Sequence, residues 1–191
     1  MNAAWQGGRY TRARHVDSPN FGARPPGAKL RLIVIHSISL PPGVYGAPFI
    51  ERLFTNTLDC DAHPYFQNLR NLRVSSHFVI DRDGALTQYV DIDQRAWHAG
   101  VSHYLGADGC NDFSVGIELE GLAGDTFTAG QYAQLATLCR AVAERASIEA
   151  IAGHEHIAPG RKNDPGPGFD WRRLQRDLGW AAAMFPPQTM G

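Results

Sequence analysis

The sequence predicts an α/β fold: a mixed β-sheet flanked by helices, in a single domain. Three observations carry that expectation. Short runs rich in branched apolar residues, LRLIVIH and SVGIELE, have the length of buried strands. Residues 128–146 place apolar side chains at helical spacing behind a Thr-x-x-Gln capping box. Asp81-Arg-Asp-Gly84 separates two strand-like runs, and Asp-Gly suits a hairpin turn because it tolerates positive φ. Strands and helices that alternate around one hairpin give a sheet that is parallel in part and antiparallel in part.

The elements follow in chain order. Residues 1–29 are polar and rich in Gly and Pro, and read as an irregular N-terminal arm. The domain proper is expected over 30–180. Arg31 to Ser37 is the first strand. Ala47 to Asn56 has Phe49, Ile50, Leu53 and Phe54 on one side, as a helix requires. Asp59 to Asn71 reads as a surface loop. Val74 to Ile80 and Ala85 to Val90 are the two strands of the hairpin. Asp91 to Asp112 is a long loop carrying Trp97-His98-Ala99-Gly100. Ser114 to Glu120 is the fourth strand. The helix that follows buries Tyr132, Leu135, Cys139 and Val142 on one face. Ile148 to Ala152 is a short fifth strand that delivers His154, and Asp170 caps a last helix over Trp171 to Leu178. A loose tail is expected over 181–191.

Composition narrows the function classes. The 191 residues suffice for one substantial core. A formal net charge of -1 gives no reason to expect nucleic acid or an acidic membrane surface. No apolar run reaches the ~18 residues of a transmembrane helix. The first residues lack the apolar stretch of a secretory signal, and three widely spaced cysteines suit a reducing compartment. A cytoplasmic protein is therefore expected.

Chemistry concentrates in Gly153 to Trp171, GHEHIAPGRKNDPGPGFDW, where prolines and glycines hold polar side chains out of regular structure. His154 and Asp164 read as half of a metal site, with Lys162 between them, and His36 at the end of LRLIVIH is the candidate third ligand. Two imidazoles and a carboxylate suit a catalytic zinc ion, which keeps a fourth position for water and lets that water ionise near neutral pH. Glu118 could then move the water's proton, and Lys162 could steady negative charge on a carbonyl oxygen. Spacing alone leaves a hydrogen-bonded structural role open for each histidine. His156 is not expected to ligate, because i and i+2 side chains on a strand face opposite ways. His98 is expected to hydrogen-bond within its loop, and His77 to sit in the core or behind the ligands.

The segments VIHSISLPPG, VSSHFVIDRDG, RAWHAGVS, CNDFSVGIELEG and GHEHIAPGRKNDPGPGFDW, in this order, resemble the AmpD family of 1,6-anhydro-N-acetylmuramyl-L-alanine amidases. The resemblance runs from about Ser18 to Leu178. It implies the N-acetylmuramoyl-L-alanine amidase-like (peptidoglycan-recognition) fold. It also implies a zinc enzyme that cuts the amide between N-acetylmuramic acid and L-alanine in recycled muropeptides. By position, His36, His154 and Asp164 match the zinc ligands, and Glu118 and Lys162 match the catalytic pair. Ser37 stands where the family commonly has asparagine, so a polar contact in the substrate cleft is altered. Trp97 is expected to stack on sugar or peptide. Arg73 is expected to pair with a substrate carboxylate, against the alternative of a solvated arginine. The expected partner is a small soluble muropeptide and the expected state a monomer. A muropeptide-binding module without activity, and an amidase of intact cell wall, are the competing classes. The first has no need of a zinc trio beside Glu118 and Lys162.

Overall fold

The computed structural model describes residues 4–187. Six strands form the central sheet. They are β1 (Arg14–His15), β2 (Leu32–Ile38), β3 (Phe78–Ile80), β4 (Leu86–Gln88), β5 (Ser114–Glu120) and β6 (Ala150–Gly153). Their order across the sheet is β6-β2-β5-β3-β4-β1. The neighbours from β6 through β2 and β5 to β3 are parallel. β3 and β4 form the antiparallel hairpin, and β1 joins β4 in parallel. Helices α1 (Phe49–Phe54), α2 (Pro64–Gln67), α3 (Ala129–Arg145), α4 (His154–Ile157) and α5 (Trp171–Leu178) surround this sheet. The mixed sheet with flanking helices is the architecture that the sequence predicts.

The central strands are buried on both faces, yet their side chains still alternate. Ile33 and Ile35 of β2, with Val115, Ile117 and Leu119 of β5, join the large core under α3 and α5. Leu32 and Val34 face the other way, into a smaller core beneath the 99–113 loop. On β5 that second face carries Ser114, Gly116, Glu118 and Glu120, so one strand is apolar toward the helices and polar toward the cleft. α3 starts as its sequence dictates. The Thr128 hydroxyl accepts from the Gln131 amide at 3.1 Å, and the Gln131 side chain accepts from the Thr128 amide at 3.0 Å. α5 begins at the cap Asp170, whose carboxylate accepts from the Arg173 amide at 2.8 Å. No helix among the described residues is long and apolar enough to cross a membrane.

The structure departs from the sequence expectations where pairing is set by distant partners. The 1–29 arm is not irregular over its described part. Trp5 and Tyr10 pack into the main core, Arg14–His15 is the edge strand, and Phe21–Gly22 pairs with Arg95–Ala96. Arg24 donates to the carbonyls of Ile92, Asn111, Asp112 and Ser114, which ties the segment to the sheet. Burying an aromatic side chain stabilises by about 1.5–3 kcal/mol, so two buried rings suffice to order this polar segment. The 59–71 loop contains α2, with Phe66 fully buried. The second strand is shorter than expected, and 74–77 is extended chain that bonds to Trp97 and Gly116 instead. The tail over 181–187 is docked, with Phe185 in the main core; residues 188–191 lie outside the described part.

Candidate metal centre and cleft

The register of three parallel strands lines up the site. Glu118 of β5 pairs directly with His36 of β2, and Gly153 of β6 pairs with Ile35. His154, the next residue, therefore emerges beside His36 at the same end of the sheet. α4 begins at His154, and its Glu155 amide donates to the Asp164 carbonyl at 2.9 Å, which brings the 158–170 loop back over the strand ends. His36 Nδ1 lies 3.0 Å from His154 Nδ1 and 3.0 Å from Asp164 Oδ2, and His154 Nδ1 lies 3.2 Å from the same oxygen.

That donor set fits a zinc ion. Ligand atoms 2.0–2.2 Å from a tetrahedral centre stand about 3.3–3.6 Å apart, close to the spacing here. Proton accounting points the same way. His154 Nε2 is 3.1 Å from the Ala99 carbonyl, which can only accept. Arg161 Nη2 also lies near that nitrogen, but its two protons go to the Ala99 and Val101 carbonyls, each at 2.6 Å. His154 thus carries its proton on Nε2, and Nδ1 turns a lone pair toward Asp164. Two acceptors at 3.2 Å need a positive centre between them. Burial holds His36 down at about 4, so its ring is neutral near pH 7. Burial alone would raise the Asp164 carboxyl, but the two imidazole edges outweigh it and hold the group below its usual range. Among the described residues, His36, His154 and Asp164 each offer one ligand atom within 4.8 Å of the others.

The trio opens onto a cleft of about 360 Å³. Glu118 reaches it from β5 at 8% exposure. Burial, then the Asp164 charge, push its carboxyl well above the ordinary range, and Lys162 opposes them. Lys162 is exposed at the cleft mouth. Ser37 lines the cleft, and Trp97 forms part of its wall, fixed by backbone bonds to and from Ser75. Arg73 does not line it: the guanidinium donates to the Arg70 and Leu72 carbonyls of its own loop. Tyr65 stands at the cleft, whereas Phe66 pins its loop into the fold.

The remaining histidines sort by their partners. His77 is a core group: Nδ1 accepts from the Gly116 amide at 3.0 Å, and Nε2 meets the Gln94 carbonyl at 3.1 Å. His156 sits on a helical turn rather than a strand, so the alternation argument does not apply to it. Its Nδ1 instead accepts from the Gly153 amide at 3.0 Å, and its ring packs on Trp171. His98 bonds not within its loop but to the His36 ring, Nδ1 to Nε2 at 2.9 Å. Sequence reasoning missed this contact and the loop's anchors. The Asn111 side chain takes the His98 and Ala99 amides at 3.1 and 2.8 Å. Only the polar richness of 95–112 hinted at them.

Comparison with known proteins gives the same frame. Residues 26–167 match the Amidase_2 family, N-acetylmuramoyl-L-alanine amidase. The chain is 54% identical over 172 residues to the 1,6-anhydro-N-acetylmuramyl-L-alanine amidase AmpD of Salmonella typhimurium (strain SL1344), covering 88% of this chain and 91% of that one. A crystal structure of a selenomethionine derivative of AmpD superposes with a TM-score of 0.89 at 50% identity, covering 91% of this chain and 98% of the other. The Escherichia coli N-acetylmuramyl-L-alanine amidase AmiD, in complex with anhydro-N-acetylmuramic acid-L-Ala-D-gamma-Glu-L-Lys, superposes at 0.58 with 29% identity, covering 81% and 60%. With a family match across most of its length and a neighbour sharing sheet, helices and half its residues, the chain belongs to the N-acetylmuramoyl-L-alanine amidases of the Amidase_2 family and is an enzyme of that class.

Proposed function

We propose that the enzyme hydrolyses the amide between 1,6-anhydro-N-acetylmuramic acid and L-alanine in small muropeptides, as a zinc amidase of cell-wall recycling. The observation that carries this reading is the meeting of His36, His154 and Asp164 within 3.2 Å of one another, beside the buried Glu118 and at the foot of one cleft. The names of the AmpD relatives and the muropeptide in the AmiD complex support the substrate class.

Zinc held by the trio would supply Lewis acidity and a water that ionises near neutral pH. The chain's own groups do the rest. Glu118, raised by burial toward the working pH, takes the proton of the attacking water and returns it to the departing L-alanine nitrogen. Lys162 at the cleft mouth stabilises the carbonyl oxygen as it gains charge. Ser37 and Trp97 form walls for sugar and peptide; Arg73, turned to its own loop, is left out of the contact set. A monomer acting in the cytoplasm on a soluble ligand completes the reading. Its test is mass spectrometry of products from anhydromuropeptide and, in parallel, from intact sacculi. Release of a free peptide beginning with L-alanine, lost on chelation and restored by zinc, is expected. A glycosidic cut, a cut inside the peptide, or action on sacculi alone would overturn it.

A further inference from the structure

We propose that His98 is a positioning residue for the metal site: it fixes the His36 ring with its proton on Nε2, so that Nδ1 presents a lone pair beside His154 and Asp164. The consequence for zinc rests on the function proposed above; the tautomer itself does not.

The assignment is read outward from a group that can only accept. Ser114 Oγ lies 2.6 Å from the Cys110 carbonyl, so the hydroxyl proton points there. Its lone pairs are then free to accept, and His98 Nε2 stands 3.2 Å away. His98 Nε2 therefore carries a proton. The ring is buried among His36, His77 and Arg24 with no carboxylate at its edge, which keeps it neutral. A neutral ring with its proton on Nε2 has a lone pair on Nδ1, and that lone pair faces His36 Nε2 at 2.9 Å. His36 must donate there, which leaves its own Nδ1 unprotonated. One serine on β5 thus dictates, through one histidine, which nitrogen of the ligand is available.

The fold makes room for this ring. A Cβ on Gly116 would stand 2.5 Å from His98 Cγ and 2.7 Å from Nδ1, so β5 carries a glycine where His98 lies flat on it. Asn111 holds the His98 backbone from the other side. The His36 and His98 planes cross at 85°, which places one nitrogen in line with the other ring's N–H.

Histidine-labelled, metal-free protein at alkaline pH reports the tautomer by long-range nitrogen–proton NMR. Wild-type His36 is expected with its proton on Nε2. His98→Phe removes the acceptor and should let the proton move to Nδ1, against Asp164. His98→Asn can return an acceptor oxygen near the Nδ1 position and should preserve the wild-type tautomer. Zinc affinity, measured by chelator competition, should fall about 10–100-fold in His98→Phe and stay within about threefold of wild type in His98→Asn. Ser114→Ala, a milder change, should shift the tautomer in the same direction if the phenylalanine variant does not fold. A proton on His36 Nδ1 in the wild type overturns the proposal. So does a His98→Phe protein with unchanged His36 tautomer or unchanged zinc affinity. A wild type that binds no zinc defeats the proposed function, while the tautomer result still decides this one.

Discussion

Glu118 is in strand register with the ligand His36, so its carboxylate stays aimed at the metal site without help from a loop. Glu118→Gln keeps the shape and removes the proton carrier. It should hold zinc and substrate and lose about 10²–10⁴-fold in kcat. Steady-state kinetics beside zinc analysis checks this; near wild-type turnover would remove Glu118 from the mechanism. Lys162 works differently. If its ammonium meets charge that develops during reaction, Lys162→Ala should lower kcat more than it raises KM. A change confined to KM would make it a substrate clamp. These residues were legible in the sequence because each sits in a compact motif: Glu118 in IELEG, Lys162 and Asp164 in RKNDPGP, and His36 at a strand end. His98 was seen but given the wrong partner. Nothing in RAWHAGVS says that its ring turns inward to His36 rather than into its own loop. That choice is made by Gly116 and Ser114, on a strand 12 or more residues away.

At the scale of elements, α3 holds the hairpin as well as itself. The Thr128 hydroxyl caps the helix and donates to the Arg82 carbonyl at 2.9 Å, and the Gly130 backbone lies against the turn at Asp83 and Gly84. Thr128→Ala should therefore cost about 0.5–2 kcal/mol, read as a lower urea midpoint, with kcat unchanged because the cap is remote from the cleft. α3, β5 and α5 were legible because strong periodicity and a cap mark them without reference to anything else. α2 was not, since a four-residue helix has no periodicity to read and is fixed by the burial of Phe66. The two-residue strands near the N-terminus were equally invisible. Their partners, Thr87–Gln88 and Arg95–Ala96, lie more than 70 residues on, and no local signal announces such pairing.

At the scale of the whole molecule, buried neutral histidines tie stability to pH. Burial, then Arg24, hold His77 down at about 3, against 6.5 in the unfolded chain. Below pH 6.5 the unfolded chain takes up a proton that the folded one refuses, so stability is full above that pH and is lost as pH falls toward 3. Each such group contributes at most about 1.4 kcal/mol per pH unit in that window. Urea midpoints across the range should show the slope, and His77→Gln should be less stable near neutrality yet flatter below it. An unchanged slope would place the acid sensitivity elsewhere.

The most direct measurement is diffraction at the zinc absorption edge from crystals of protein loaded with one equivalent of zinc. One anomalous peak is predicted, about 2.0–2.2 Å from His36 Nδ1, His154 Nδ1 and an Asp164 oxygen, with no fourth protein ligand. No peak at these three residues, or a peak held through another side chain such as His98 or His156, would contradict the account.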